Sequence, residues 1–251
     1  MFSKILRISV SFVFLLAFGW VSGRLFFEDA TDHLMVSVAD LFSTESEVKQ
    51  IDEISVMYPF VPASFEPTLL DHLAWQWLIN TYEPLVKPDR DFEMRPSLAL
   101  SWGLLDPVTW EFKLRPDVVF HDGSKFSAED VVYSLNRANS SKISQVSSFL
   151  SSIEKVEVID DLTIQIKTKN PDPILLQRLS MLLILPSQNS DELVGQPVGT
   201  GPYKFDSLSE KGVLKLTSFA DYWGGKTKFK KVSLIGEVNK SERVNRFIAG
   251  E

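Results

Sequence analysis

The chain has 251 residues, 44% of them hydrophobic and 24% charged, with a formal net charge of -7. This is ordinary globular composition, long enough for one or two domains that each bury a core. The acidic balance argues against a nucleic-acid partner held by phosphate neutralisation, and the absence of cysteine excludes disulfides, a thiol nucleophile and a lipid-modified cysteine anchor.

The N-terminal run "MFSKILRISVSFVFLLAFGWVSG" sets Lys4 and Arg7 before an uncharged stretch from Ile8 to Val21. That stretch is short for a spanning helix and fits the apolar region of a secretory signal, with Val21-Ser22-Gly23 preceding a cut at Arg24. Export is expected, and an exported chain without a lipid anchor points to a Gram-negative periplasm. Trp20 and Val21 are bulky for a cleavage region, so removal of residues 1–23 and their retention as an inner-membrane anchor through 8–21 both stay open.

From Thr31 to Ile54 the patterning is weak: "LMVSVADL" suits a strand and "TESEVKQI" a short helix. "EISVMYPF" alternates like a strand and runs into the proline-marked turn "PFVPASFEP". "DHLAWQWLINTY" predicts a helix with Leu70, Leu73, Ala74, Trp77, Leu78 and Thr81 on one face. Trp75, Ile79 and Tyr82 form a second stripe, so the helix is either sandwiched between layers or lines a cavity.

"WEFKLRPDVVF" places Trp110, Phe112 and Leu114 on one face of a strand, and "HDG" then turns the chain. "SAEDVVYSLNRA" carries a helix start, Ser127 as N-cap with Asp130 three residues on, and an apolar side of Ala128, Val131, Val132, Leu135 and Ala138. "IEKVEVIDDLTIQIKTK" predicts a hairpin about Asp160-Asp161, with Val156 and Val158 facing Ile164 and Ile166. "PDPILLQRLSMLLILPS" is a helix leading into a buried apolar segment. "GTGPYKFDSLSEKGVLKLTSF" is a second hairpin, "KFKKVSLIGEV" a further strand, and "SERVNRFIAGE" a helix stopping at Gly250.

Chemistry-bearing patterns are few. "ADYWGGKT" meets the loosest form of a phosphate-binding loop, but Asp221 has the wrong charge, Tyr222 and Trp223 are too large to wrap an anion, and a β pattern follows in place of a helix. His33, His72 and His121 share no metal-ligand spacing. No G-x-S-x-G elbow occurs, and His121 reads as a turn residue beside Gly123. Nothing argues for an enzyme, a metal site or a cofactor.

Taken together, "TYEPLV" (81–86), "RPSLALSW" (95–102), "TWEFKLRPDVVFHDGSKFSAEDVVYSLNRA" (109–138), "VGTGPYKF" (198–205) and "DYWGGK" (221–226) resemble, in order, the solute-binding proteins of ABC importers, in the peptide- and nickel-binding group called family 5. The resemblance implies an α/β, type II periplasmic-binding-protein-like fold: an N-terminal lobe (32–82 and 170–251) with an inserted small α/β subdomain (about 83–169), the second lobe missing. It implies that the DYWGG stretch is a structural turn. It further implies a peptide or other small solute as ligand in an interlobe cleft, and ABC permease subunits in the inner membrane as partner.

The residues that hold a peptide's charged ends in relatives fall outside these motifs and are not carried over. Candidate ligand-binding residues are Tyr58, Phe65, His72 and Trp75. The first two flank the turn after a strand, where ligands sit in open α/β sheets, and the other two lie on the helix that follows. Plain packing is the competing role for each. The alternative function is a non-transporting interaction protein, truncated or membrane-anchored, derived from the same family.

Overall fold

The computed structural model describes residues 51–60, 64–69, 72–140, 144–188 and 195–250, the side chains of 72 and 73 excepted. The expectations for the signal segment and for 31–50 lie outside the described residues. In chain order the strands are β1 (Glu53–Tyr58), β2 (Val86–Pro88), β3 (Met94–Pro96), β4 (Ala99–Asp106), β5 (Thr109–Leu114), β6 (Ile153–Asp160), β7 (Thr163–Thr168), β8 (Tyr203–Leu208), β9 (Val213–Ser218) and β10 (Lys231–Gly236). The helices are α1 (His72–Leu78), α2 (Ala128–Ser140), α3 (Leu175–Leu179) and α4 (Lys240–Ile248).

Period-two patterning builds two four-stranded sheets. One runs β1-β10-β9-β8, with β1 parallel to β10 and the remaining pairs antiparallel. The other runs β4-β5-β7-β6, antiparallel throughout, and β2 with β3 makes a separate hairpin. The predicted hairpin about Asp160-Asp161 forms in the expected register, Val156 opposite Ile166 and Val158 opposite Ile164.

Each four-stranded sheet has its own core. Phe112, Leu114, Ile164 and Ile166 pack with Ala128, Val131, Leu135 and Ala138 of α2. Leu214, Leu216, Val232 and Leu234 pack with Ala74, Trp77 and Leu78 of α1. Burial of each such large side chain contributes about 1.5–3 kcal/mol. The extended run after α3 serves both: Leu182 and Ile184 enter the first cluster, Leu183 and Leu185 the second. That alternation is why a five-residue helix gives way to an apolar segment with no strand of its own.

The α2 start departs in detail from a capping box. Asp130 Oδ2 accepts from the Ser127 backbone N–H at 2.7 Å and from its hydroxyl at 3.1 Å, so Ser127 donates where an N-cap side chain usually accepts. The other carboxylate oxygen of Asp130 accepts from Ser187 N at 2.7 Å, which ties α2 to the segment after α3.

Helix α1 is shorter than its periodicity predicts. Asn80 Nδ2 donates to the Gln76 and Trp77 carbonyls at 3.0 and 3.2 Å, capping the end of the helix. The chain then turns to pair with the segment before β8, Gly201 N donating to Thr81 O at 2.8 Å and Tyr203 N to Asn80 O at 3.1 Å. Tyr82 is therefore a fully buried residue beyond the helix rather than part of a second helical stripe. The strands β2, β3 and β4 were not anticipated. β4 is mostly exposed and broken by register shifts, so its alternation is faint.

Candidate functional site

The DYWGG stretch resolves into a buried junction. Glu83, in the turn before β2, accepts from Trp223 Nε1 at 2.7 Å, Tyr222 OH at 3.0 Å and Thr200 Oγ1 at 3.1 Å. Burial pushes the Glu83 carboxyl above its ordinary range, with the three donors and Lys87 opposing. Burial also raises the Tyr222 phenol, helped by the nearby Glu83 charge. Arg115 stacks its guanidinium 3.9 Å from the Trp223 ring centroid while its Nε donates to Ser97 O at 2.6 Å. These aromatic side chains pack inward, so the stretch is a structural turn and holds no phosphate cradle.

The GTG run is gripped from the other side by His121. Its Nε2 lies 2.9 Å from Gly201 O, and Gly199 N donates to its Nδ1 at 3.3 Å. One nitrogen donating and the other accepting describes a neutral imidazole. Burial, with Lys204, holds its pKa below the usual value against the pull of the Gly201 carbonyl. Glycine is required here because a Cβ at Gly201 would lie 2.7 Å from Thr81 O, and one at Gly199 would overlap the same oxygen. His121 lies in the turn expected beside Gly123, whose N–H donates to Phe120 O at 2.9 Å, and its hold on the GTG run is the added finding. The only available signal was that HDG and GTG both sit in the recognised motifs.

A second surface lies at the carboxyl ends of β1 and β10, the only parallel neighbours among the described residues. Tyr58 lies opposite Gly236, and Glu237 N donates to Tyr58 O at 2.8 Å. The Tyr58 ring stands 5.4 Å from Phe60 and 5.7 Å from Trp77, and Phe60 stands 6.3 Å from Trp77. Tyr58 and Phe60 are partly buried against the α1 core and keep some ring surface open, and Trp75 is partly buried against the same core. Burial raises the Tyr58 phenol, so it is a neutral hydroxyl at physiological pH.

A buried ion pair fixes the loop after β1. Arg137 Nη2 on α2 donates to Glu66 Oε2 at 2.7 Å, and Thr68 Oγ1 donates to Glu66 Oε1 at 2.7 Å. Burial alone would raise Glu66, yet the bonds from Arg137 and Thr68 and the Arg137 charge hold it below the usual carboxylate range. Gln145 N also donates to Thr68 O at 3.0 Å, so the loop is stapled to the α2 side of the molecule.

The structure places three of the four candidate residues in or against one hydrophobic cluster. Tyr58 and Trp75 sit at its margin, partly open, whereas Phe65 is buried with its ring 6.2 Å edge-on to Phe205. The His72 side chain lies outside the described residues. Phe60, Glu66 and Arg137 were not singled out in the sequence, because a proline-marked turn and a helical arginine carry no pattern that pairs them. Among the described residues no group of three or more His, Cys, Asp or Glu side chains is placed to hold a metal ion, and no helix is long and apolar enough to cross a membrane.

Comparison with known proteins agrees with this geometry. Residues 93–251 match the profile of the bacterial extracellular solute-binding proteins, family 5 Middle. The glutathione-binding protein GsiB of Pectobacterium atrosepticum is 32% identical over 180 residues, covering 68% of this chain and 35% of that protein. A putative ABC transporter peptide-binding protein of Brucella ovis is 32% identical over 170 residues, 62% of this chain and 32% of its own length. The ABC transporter-associated periplasmic binding protein DppA of Helicobacter pylori, solved with the peptide STSA, superposes with a TM-score of 0.70 at 27% identity, over 82% of this chain and 47% of that one. The fold is thus mixed α/β and matches periplasmic binding proteins, and the chain spans about a third to a half of the length of these relatives. The chain belongs to the bacterial extracellular solute-binding proteins of family 5.

Proposed function

We propose that this chain supplies one wall of an interlobe cleft that binds peptides of the di- to oligopeptide class and delivers them to ABC permease subunits in the inner membrane. The observation that carries the reading is the partly open ring pair of Tyr58 and Phe60 at the carboxyl end of β1, with Trp75 partly open against the same core. Ring faces there suit side chains of many shapes, and the buried charges of Glu66 and Arg137 are paired with each other. Peptide as the ligand class is supported by the names of the Brucella ovis relative and of DppA with its bound peptide.

Within this reading Tyr58, Phe65, His72 and Trp75 are the ligand-facing set, Tyr58 and Trp75 contributing ring surface and Phe65 supporting them from the core. Residues 32–82 and 170–251 form the lobe and 83–169 the inserted subdomain, with Leu175 and Leu179 of the lobe reaching into the subdomain core. Residues 1–23 direct export to the periplasm. Closure is a population shift: only contacts made by both walls of a cleft favour the closed form.

The test is a two-dimensional NMR titration of the 251-residue chain with a pool of di- to pentapeptides. Saturable shifts confined to residues around Tyr58, Phe60 and Trp75 are expected, reduced in Tyr58→Ala and Trp75→Ala. Saturable shifts located elsewhere, or none at all, would overturn the reading.

A further inference from the structure

Three consecutive residues, Gly199, Thr200 and Gly201, are held by two ionisable side chains. Glu83 accepts from the Thr200 hydroxyl at 3.1 Å. His121 holds the glycines on either side. Its backbone N–H donates to Gly199 O at 2.9 Å, its Nδ1 accepts from Gly199 N at 3.3 Å, and its Nε2 lies 2.9 Å from Gly201 O. The ring also makes an edge-on contact with Phe219, the two centroids 4.9 Å apart.

These neighbours fit one charge state of the ring. As a neutral imidazole, with Nε2–H donating and Nδ1 accepting, His121 satisfies both. A second proton goes to Nδ1, where it meets the Gly199 N–H, donor against donor. The Gly201 bond survives that change and the Gly199 bond does not. Of the charges acting on the ring, Asp122 favours the imidazolium and Lys204 opposes it. Glu83 reaches the run through Thr200, and Phe219 brings no charge. Burial opposes the extra proton as well.

The same run holds the end of α1. Gly201 N donates to Thr81 O at 2.8 Å and Tyr203 N to Asn80 O at 3.1 Å, and the Asn80 side chain caps the helix. The approach leaves no slack, since a Cβ at Gly199 would overlap Thr81 O. Helix α1 carries Trp77, whose ring centroid lies 5.7 Å from that of Tyr58 and 6.3 Å from that of Phe60. A bond lost at Gly199 therefore loosens the backbone that seats the helix behind these rings. We infer that His121 is a proton-operated latch on the ligand-facing wall: the neutral ring holds the wall in its binding form, and the imidazolium releases it in acid surroundings. The latch rests on the function proposed above and adds a regulation to it, weaker retention of peptide as pH falls.

The experiment titrates the full 251-residue chain with tetra-alanine, whose side chains carry no proton to exchange, by two-dimensional NMR. Binding is measured at about pH 7 and about one pH unit below the midpoint of the His121 ring, read from its own carbon-bound protons. The wild-type Kd is expected to rise at least about threefold between the two conditions, and that of His121→Gln, whose amide keeps a donor and an acceptor without titrating, by less than about 1.5-fold. Linkage requires the converse in the wild type: saturating tetra-alanine lowers the His121 midpoint, and the Gly199 amide signal follows that midpoint. A wild-type Kd that does not change, a change as large in His121→Gln, or a midpoint unmoved by peptide overturns the latch and leaves the proposed function standing. Tetra-alanine that does not bind in either condition overturns both, because tolerance of many side chains is part of the proposed function.

Discussion

Glu83 illustrates how one side chain closes a fold. Three donors from two distant segments converge on it, and none has another partner as good. Glu83→Ala leaves buried donors unmet and is expected to cost about 2–4 kcal/mol in denaturant melts, whereas Glu83→Gln, which keeps one acceptor oxygen and can donate to the Tyr222 hydroxyl, costs about 1 kcal/mol. An equal loss for both variants would show that only the intact carboxylate serves there, and that the acceptor retained by glutamine does not. His121 gives a pH test. Its folded pKa lies below the ordinary 6.5, so the neutral ring contributes stability that is full above that value and is lost as pH falls through the folded pKa. The wild type should lose stability more steeply than His121→Gln as pH falls below 6.5. Parallel pH curves for the two proteins would remove the Gly199 bond to the ring from the account. Glu83, raised by burial, works in the opposite sense: the native state takes up a proton more readily, so its cost grows as pH rises from the ordinary range toward the folded value.

At the scale of elements, the legible parts of the sequence were those where a local pattern and tertiary packing agree. The 156/166 and 158/164 pairs could be read because period-two alternation meets a single turn. The length of α1 could not, since Thr81 and Tyr82 continue a helical period but are claimed by bonds to Gly201 and by the second core. Backbone approach at the GTG run was equally hidden, because closeness to Thr81 is a tertiary fact. Gly199→Ala is therefore expected to destabilise by more than about 2 kcal/mol, and Gly103→Ala, where a Cβ meets nothing within 4 Å, by less than about 0.5 kcal/mol. Thermal melts of the pair decide this, and equal losses would contradict the close approach. The loop after β1 depends on the Glu66–Arg137 pair. Removing either partner alone should cost about 3–5 kcal/mol, and a Glu66→Leu, Arg137→Met double variant markedly less than the sum. Additive losses in that cycle would mean that the two side chains act independently.

At the scale of the whole molecule, five ordered motifs made the family legible. They did so because each holds a junction: TYEP supplies Glu83, RPSLALSW supplies the Ser97 carbonyl that holds Arg115, HDG supplies His121, GTG supplies the close approach, and DYWGG supplies the two aromatic donors. The ligand surface was far less legible. Aromatic side chains look alike in sequence whether they fill a core, as Phe65 does, or stand partly open, as Tyr58 and Trp75 do. In the proposed function this chain contributes one wall of a cleft, so the contacts that offset ordering costs come from one side only. The most direct measurement is isothermal titration calorimetry of the 251-residue chain with tetrapeptides of differing side chains. The account predicts saturable, weak binding, with Kd roughly between 10 μM and 1 mM, similar among the peptides and abolished by joint Tyr58→Ala and Trp75→Ala substitution. Submicromolar affinity from this chain alone, or binding indifferent to those two residues, would contradict it.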